Sequence, residues 1–373
     1  MQGSFFREQA LALKRAGHRV GVIAPIRINP SRFYQQYGAW RGRVTVRDEE
    51  GIRTYRHYGW QWLPLVRYGE AFLFRRATRL LFERYIKEQG LPDLIHAHSA
   101  LYGGVSAASL KDHYHIPYII TEHNSRFGAK QLPSWKIQLA RQMFGSASAR
   151  IAVSSTLGKL LESIIGEEFV PWQQVPNLVD PSFKPADSPK SLERPFIFLN
   201  IAYMTERKRQ SDLIQAFAEQ FQNQPKVQLR LGGDGPLRSV LQAQARSLGI
   251  GQQVHFLGLL DRSKVLSEMQ SADAFVLSSR HETFGVVLVE ALACGKPVIA
   301  TACGGPQDIV HQGNGLLVPL QNIADLGRAL HWMKEHITSY DPQVIRSDCL
   351  ARFGEQTVAA QLTEIYEMVL HRM

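Results

Sequence analysis

Two carboxylates with seven residues between them, Glu282 and Glu290, stand in the stretch 278–310, SSRHETFGVVLVEALACGKPVIATACGGPQDIV. The apolar run 274–277 just ahead reads as a buried strand, and a short helix is expected to open near Thr283-Phe284-Gly285. That helix must stop at Gly295-Lys296-Pro297, where glycine suits a C-cap and proline forbids continuation. A second strand, 298–301, and a glycine turn, Gly304-Gly305-Pro306, follow. A helix N-terminus at the carboxyl end of a parallel strand offers backbone N–H groups to an anion. Carboxylates beside it suit sugar hydroxyls, which need acceptors rather than charges. Phosphate plus polyol points to a nucleotide-sugar. The blander reading makes Glu282 a helix cap and Glu290 a solvated surface group. Glu290, however, lies inside VVLVEALA, where an unpartnered charge costs on the order of several kcal/mol.

The elements that must position these groups alternate along the whole chain. Strand-like runs fall at 18–24, 94–97, 118–121 and 149–153, with helical patterns such as 5–15 and 71–89 between them. The rhythm continues at 196–202, 227–231, 254–257, 274–277, 298–301 and 315–318, with helices at 210–220, 236–247, 264–270 and 325–336. Strands alternating with helices imply an α/β protein with doubly wound, Rossmann-like parallel sheets. The proline-rich, polar segment 171–195 reads as a linker. The expected domains are therefore 1–185 and 186–354, followed by an amphipathic helix, 355–373, able to dock on either.

With 373 residues the chain is long enough for two such cores. Its 45% apolar and 20% charged content is that of a soluble globular protein, and no apolar run reaches the ~20 residues that span a bilayer. The first residues lack the apolar centre of a signal peptide. Cys294, Cys303 and Cys349 are too few and unpatterned for a disulfide framework or a zinc site, which favours the cytoplasm. Residues 1–190 hold 26 Lys/Arg against 15 Asp/Glu, a net of +11, whereas 191–373 come to −1. The positive charge is dispersed and no nucleic-acid motif accompanies it, which leaves an acidic substrate, an anionic membrane surface, or plain solubility as its use.

In order and spacing, several segments together resemble a retaining glycosyltransferase of the GT-B fold, family 4 (group 1) type. These are IHAHSALYGGVSA (95–107), TEHNSRF (121–127), AVSSTL (152–157), VPNLVD (175–180), GGDGPLR (232–238), VHFLGLL (254–260) and the Glu282…Glu290 motif itself. The resemblance covers nearly the whole chain. It implies two Rossmann-like domains facing across a cleft and transfer of a sugar, with retention, from a nucleotide-sugar donor, a UDP-sugar in particular. Glu282 matches the glutamate that accepts hydrogen bonds from the donor sugar, and Glu290 the one that holds the ribose. The backbone of Phe284, Gly285, Val286 and Val287 would face the phosphates or sugar. Lys208 matches the phosphate lysine, and His123 a histidine that approaches the donor sugar from the first domain. The family usually has an arginine five residues before that lysine, where this chain has Tyr203. Either Arg207 or Arg209 supplies the guanidinium, or the phosphates are held by one cation fewer. His96 and His98 are explained about as well by packing or loop hydrogen bonds. No Asp-x-Asp pair occurs near the motifs, in keeping with a metal-independent, cofactor-free site.

The same resemblance puts the acceptor, a glycan or lipid-linked sugar, on the basic first domain. There the segment 55–85 combines Trp60, Trp62, Phe72, Phe74 and Phe82 with Arg67, Arg75, Arg76 and Arg79. A helix 71–85 lying flat on anionic lipid would suit this mixture, at the inner face of the cytoplasmic membrane. A helix with a core-facing Phe/Leu stripe is the equal alternative. Relatives begin with a strand and a glycine loop before the first helix, so this chain is expected to lack that strand, with Met1 an internal start or the chain a truncated product, and Gly3 the loop glycine near the donor. Two other functions share the motifs: a nucleotide-sugar epimerase of the same fold, and a degenerate, non-catalytic binding subunit.

Overall fold

A computed structural model of the chain describes residues 4–28, 43–60, 66, 68–127, 132–166, 171–187 and 194–372. The chain forms two compact units. The first comprises 1–153, 157–175 and 358–373, and the second 154–156 and 176–357. The division at Val175 falls inside the segment read as a linker, ahead of the expected boundary at 185, and most of the closing helix belongs to the first unit.

In the first unit the strands are β1 (Gly21–Ile28), β2 (Val44–Glu49), β3 (Ile52–Trp60), β4 (Ile95–His98), β5 (Tyr118–Glu122), β6 (Ala149–Ala152) and β7 (Gln173–Gln174). They make two sheets, ordered β1-β3-β2 and β4-β5-β6-β7. The second is wholly parallel, as expected. The first is mixed: β1 runs parallel to β3, but β2 and β3 form an antiparallel hairpin. Its turn, Glu50-Gly51, holds both residues at positive φ (56° and 76°), the geometry whose twist matches a two-residue hairpin. Gly51 N–H donates to Asp48 Oδ1 at 2.6 Å, which closes the turn. The helices are α1 (Ser4–Arg15), α2 (Gly69–Gln89), α3 (Val105–Tyr114), α4 (Ser134–Ser146) and α5 (Ser155–Ile165). Among the described residues no strand precedes α1, and Gly3 lies outside the described residues.

The second unit is a six-stranded parallel sheet: β8 (Phe196–Ile201), β9 (Val227–Gly232), β10 (Val254–Gly258), β11 (Ala274–Leu277), β12 (Val298–Thr301) and β13 (Gly315–Val318). Its order is β10-β9-β8-β11-β12-β13. The connecting helices are α6 (Gln210–Phe221), α7 (Arg238–Ser247), α8 (Arg262–Ser271), α9 (Val286–Ala293), α10 (Pro306–Ile309), α11 (Ile323–Glu335) and α12 (Pro342–Phe353); α13 (Glu355–His371) closes the chain. Phe198 of β8 packs on Phe217 and Phe221 of α6, all three fully buried. Each such side chain contributes about 1.5–3 kcal/mol by leaving water. The strand order turns back between β8 and β11. In an open parallel sheet that reversal splays the two following loops apart at the carboxyl edge and leaves a crevice for ligand.

Candidate active site

At that switch point the loops after β8 and β11 are joined by their own backbone. Arg280 N–H donates to the Arg207 carbonyl at 2.8 Å, and Ser278 Oγ–H to the Lys208 carbonyl at 2.9 Å. Lys208 closes a single 3-10 turn, Glu206–Lys208, and its ammonium is bound to the Glu282 carboxylate. Ser279 Oγ–H donates to the same carboxylate at 2.7 Å. The two residues singled out for donor chemistry thus meet side chain to side chain. Arg207 lies on the same turn, Arg209 sits at φ 52° and binds Asp212 at 2.8 Å, and Tyr203 is largely exposed.

Helix α9 begins directly after Gly285, which sits at φ 108° and caps it without any side-chain hydrogen bond. Its first turn therefore points amides of Val286 and Val287 outward with the positive end of the helix dipole behind them. Phe284 directs its ring into the core, edge-on to Phe353 at 5.8 Å, so only its backbone is available to a ligand. Two close approaches hold the Glu282 loop. Glu282 N–H donates to Cys303 O at 3.0 Å, and Gly305 N–H to Glu282 O at 2.9 Å. A Cβ on Gly304 would lie 2.4 Å from Glu282 O, and one on Gly305 2.3 Å from Phe284 Cα. The Gly304-Gly305 pair is there because the two loops touch. Similarly, a Cβ on Gly233 would fall 2.1 Å from Ala202 O, so the glycines of GGDGP let that loop press on the segment before Lys208.

Glu290 is buried, not solvated, at 4% exposure. Its carboxylate accepts from Arg262 Nη1 at 3.0 Å, and Arg262 is held in turn by Asp180 at 2.8 Å. Burial pushes the Glu290 carboxyl up to about 7 against the pull of that guanidinium. Arg262 and Asp180 went unassigned in the sequence. Asp180 closes the VPNLVD motif, but Arg262 sits in a polar helix start with no pattern to mark it. Cys294 and Cys303 are buried, their thiols raised by burial to about 12 and about 11.

In the first unit the corresponding edge is formed by the turns after β4 and β5. Glu122, fully buried, is a bracket: its carboxylate accepts from Ser99 Oγ (3.0 Å), Ala100 N (2.9 Å), His123 N (2.8 Å) and Asn124 N (2.7 Å). Desolvation raises its pKa while those N–H groups lower it. The bracket fixes the backbone of His123, whose Nε2 lies 3.1 Å from His98 Nδ1. Phe6 covers both rings, at 4.7 and 5.2 Å. Burial lowers His98 to about 4, so it is neutral at physiological pH. His96 has a packing role, set between Tyr366 OH and Thr121 Oγ1 at 2.7 Å each. His98, read as equivalent to it, is instead the immediate neighbour of His123.

Helix α2 divides its aromatic and basic residues between two faces. Ala77, Leu81, Phe82 and Tyr85 are buried, while Phe72, Arg75, Arg76, Arg79 and Leu80 are exposed. Trp62 and Arg67 lie outside the described residues. Among the described residues no helix is long and apolar enough to cross a membrane, and no group of three His, Cys, Asp or Glu is placed to hold a metal ion.

The chain as a whole is similar to known proteins. The sequence model described as "Glycosyltransferase Family 4" matches residues 2–183, and "Glycosyl transferases group 1" matches 184–339. The chain belongs to the group 1 glycosyltransferases, of GT-B fold. It is 25% identical over 288 residues to a glycogen synthase of Mycobacterium tuberculosis, covering 74% of this chain and 68% of that one. It is 28% identical over 367 residues to a phosphatidyl-myo-inositol mannosyltransferase of Mycolicibacterium smegmatis, covering 96% and 88%. Sucrose-phosphate synthase from Thermosynechococcus elongatus superposes with a TM-score of 0.79 at 23% identity, over 100% of this chain and 94% of that one. Anabaena HepE in complex with UDP and glucose gives 0.74 at 20% identity, over 98% and 96%. At those identities the structural likeness shows the fold.

Proposed function

We propose that this chain is a retaining hexosyltransferase that moves a sugar from a UDP-sugar to a glycan or lipid-linked acceptor in cell-surface polysaccharide or glycolipid synthesis. The observation that carries the reading is the Lys208–Glu282 pair at the switch point of the second unit. A donor entering there would exchange that pair for its own charges. Lys208 would turn to the diphosphate, and Glu282 would accept hydrogen bonds from hydroxyls of the transferred sugar. The α9 amides at Val286 and Val287 and the Arg207–Arg209 turn add positive potential where the leaving group gathers charge, which is where stabilisation accelerates the step. Glu290, oriented by Arg262, would take the ribose hydroxyls. His123, its backbone held by Glu122 and its ring beside His98, is the catalytic candidate of the first unit. Retention would follow a front-face substitution in which the leaving phosphate draws the proton from the attacking hydroxyl.

Support for the donor comes from HepE, solved with UDP and glucose and with UDP-glucose. Support for a lipid-linked acceptor comes from the relative named for phosphatidyl-myo-inositol. The exposed Phe72 and arginines of α2 suit peripheral attachment to an anionic, cytoplasmic membrane face. Donor type is tested by thermal shift with UDP-, GDP- and ADP-sugars, since a bound donor raises stability by mass action. A rise with UDP-sugars alone is expected; a rise only with another nucleotide overturns the UDP assignment. Glu282→Ala should abolish turnover, and full activity in that variant rules out the assigned site.

A further inference from the structure

A second polar cluster lies at the carboxyl edge of the first unit's strands, on residues the donor site does not use. Tyr102, on the turn after β4, donates its hydroxyl proton to the Glu70 carboxylate in the first turn of α2. Lys136, in the first turn of α4, donates to the same oxygen at 3.2 Å. Its ammonium stands 5.2 Å from the centre of the Trp135 ring and 5.6 Å from that of Tyr102. Tyr68 meets Trp135 edge-on at 5.1 Å and is 43% exposed. α4 follows β5 of the parallel sheet and α2 follows β3, which runs parallel to β1, so the cluster lies at the strands' carboxyl ends, where ligands enter such sheets.

Two features set this cluster apart from ordinary packing. Tyr68 is held at φ 64°, a left-handed backbone that costs a non-glycine residue about 1 kcal/mol or more, and that backbone brings its ring to Trp135. The Lys136–Glu70 pair is shielded, with side chains 18% and 21% exposed, and the Tyr102 and Trp135 rings stand beside its ammonium. Apolar walls with a few fixed polar groups are what a small-molecule site presents. Indole and phenol faces match the C–H face of a pyranose, while an ammonium–carboxylate pair supplies one donor and one acceptor to neighbouring hydroxyls. Glu70 offsets Lys136, so that pair carries no net charge toward an anionic lipid headgroup. Tyr102 lies on the turn that directly follows His98, the last residue of β4, which pairs with His123.

We propose that Trp135, Tyr68, Lys136 and Glu70 bind a neutral pyranose ring of the acceptor; this rests on the glycosyl-transfer reading above. Saturation-transfer difference NMR on the full chain with methyl glycosides of glucose, galactose, mannose and N-acetylglucosamine reads that contact directly. At least one should be saturated by the wild type, strongest at ring protons of one face. Binding should fall about ten-fold in Trp135→Ala and recover in Trp135→Phe. No saturation of any of the four, or equal saturation in Trp135→Ala, overturns the proposal. Should the alanine variant fail to fold by circular dichroism, Lys136→Met replaces it: a loss of saturation supports the site and an unchanged signal rejects it. Thermal shift by UDP-glucose, GDP-mannose and ADP-glucose, run in parallel, separates the two readings. A donor shift that survives alongside lost saturation places the defect on the acceptor, while no shift in any protein, wild type included, removes the transferase reading itself. Anionic vesicles that bind wild type but not Trp135→Ala, with no glycoside saturated, would assign the cluster to lipid and reject the sugar.

Discussion

The ammonium of Lys208 is bound to the carboxylate of Glu282 across the switch point of the second unit's sheet, with Ser279 as a second donor to that carboxylate. Each charge therefore holds the other in place.

Removing either partner should act on turnover more than on folding. Lys208→Met is expected to lower kcat about a hundred- to thousand-fold, the usual loss when one preorganised charge is removed from a transfer site. Glu282→Gln should fall comparably. Because the two act as a unit, the double variant should be far less damaged than the product of the single losses, measured as a double-mutant cycle on kcat. Strict multiplicativity would show that the pair is structural.

The Glu282…Glu290 motif was legible because its loop, helix and glycine turn are contiguous, and each piece has a local cause in Gly285, Gly295 and Gly304-Gly305. What lay beyond reach came from distant segments. Arg262 and Asp180 reach Glu290 from other parts of the chain, and no local pattern marks a guanidinium that will be enclosed by two carboxylates. His96 and His98 share one face of β4 by strand periodicity, so their difference arises only from depth. His96 packs beside Thr121, whereas His98 at the strand end reaches past it to His123. The β2–β3 hairpin escaped notice because its turn is Glu50-Gly51 and not the Asn-Gly or Asp-Gly that marks such turns.

Glu290 should make the protein pH-sensitive near neutrality. Its carboxyl is raised from 4.5 to about 7, so between those values the folded state holds a proton that the unfolded chain releases. Its stabilising contribution is complete below the unfolded value and is lost as pH rises through about 7. Donor affinity should run the other way, since the ionised carboxylate is the better acceptor for ribose hydroxyls. The KM for donor is expected to fall as pH rises through about 7. Glu290→Gln should flatten both profiles; a donor KM profile unchanged by that substitution would separate Glu290 from the ribose.

Gly305→Ala tests the contact between the Glu282 loop and the turn after β12. The new methyl would meet Phe284 backbone atoms at 2.3 Å, and backbone cannot yield as a flexible side chain can. A loss of about 1–3 kcal/mol follows from such overpacking, a fall in Tm of roughly 2–4 °C for each kcal/mol. Turnover measured well below the lowered Tm should still be reduced, because Glu282 is displaced.

His98→Ala should leave donor KM near the wild-type value and lower kcat. The imidazole is half-buried and neutral, and its Nδ1 faces His123 Nε2 at 3.1 Å. His98→Gln, which keeps a donor and an acceptor, should recover part of the loss. Tyr366→Phe, which removes the partner of His96, should affect melting alone. Equal kcat losses in the His98 and Tyr366 variants would mean that both histidines only support the sheet.

The outward face of α2 makes a separate prediction about membranes. Phe82, Leu81 and Tyr85 are buried in the core, so among the described residues of α2 the proposed attachment would use Phe72 and Leu80 with Arg75, Arg76 and Arg79. Each arginine near an anionic surface contributes about 1 kcal/mol, so three together are worth roughly a hundred-fold in partitioning. Co-flotation with vesicles containing anionic lipid should thus be strong at low salt, weaken as salt screens the charges, and vanish on neutral vesicles. Replacing the three arginines with glutamate should abolish it without changing donor-induced stabilisation, because none of the three is among the donor-site residues. Phe72→Ser should weaken flotation by less and leave its salt dependence intact, since it removes buried apolar area and no charge. Flotation that survives the arginine replacement would place the membrane contact elsewhere on the chain.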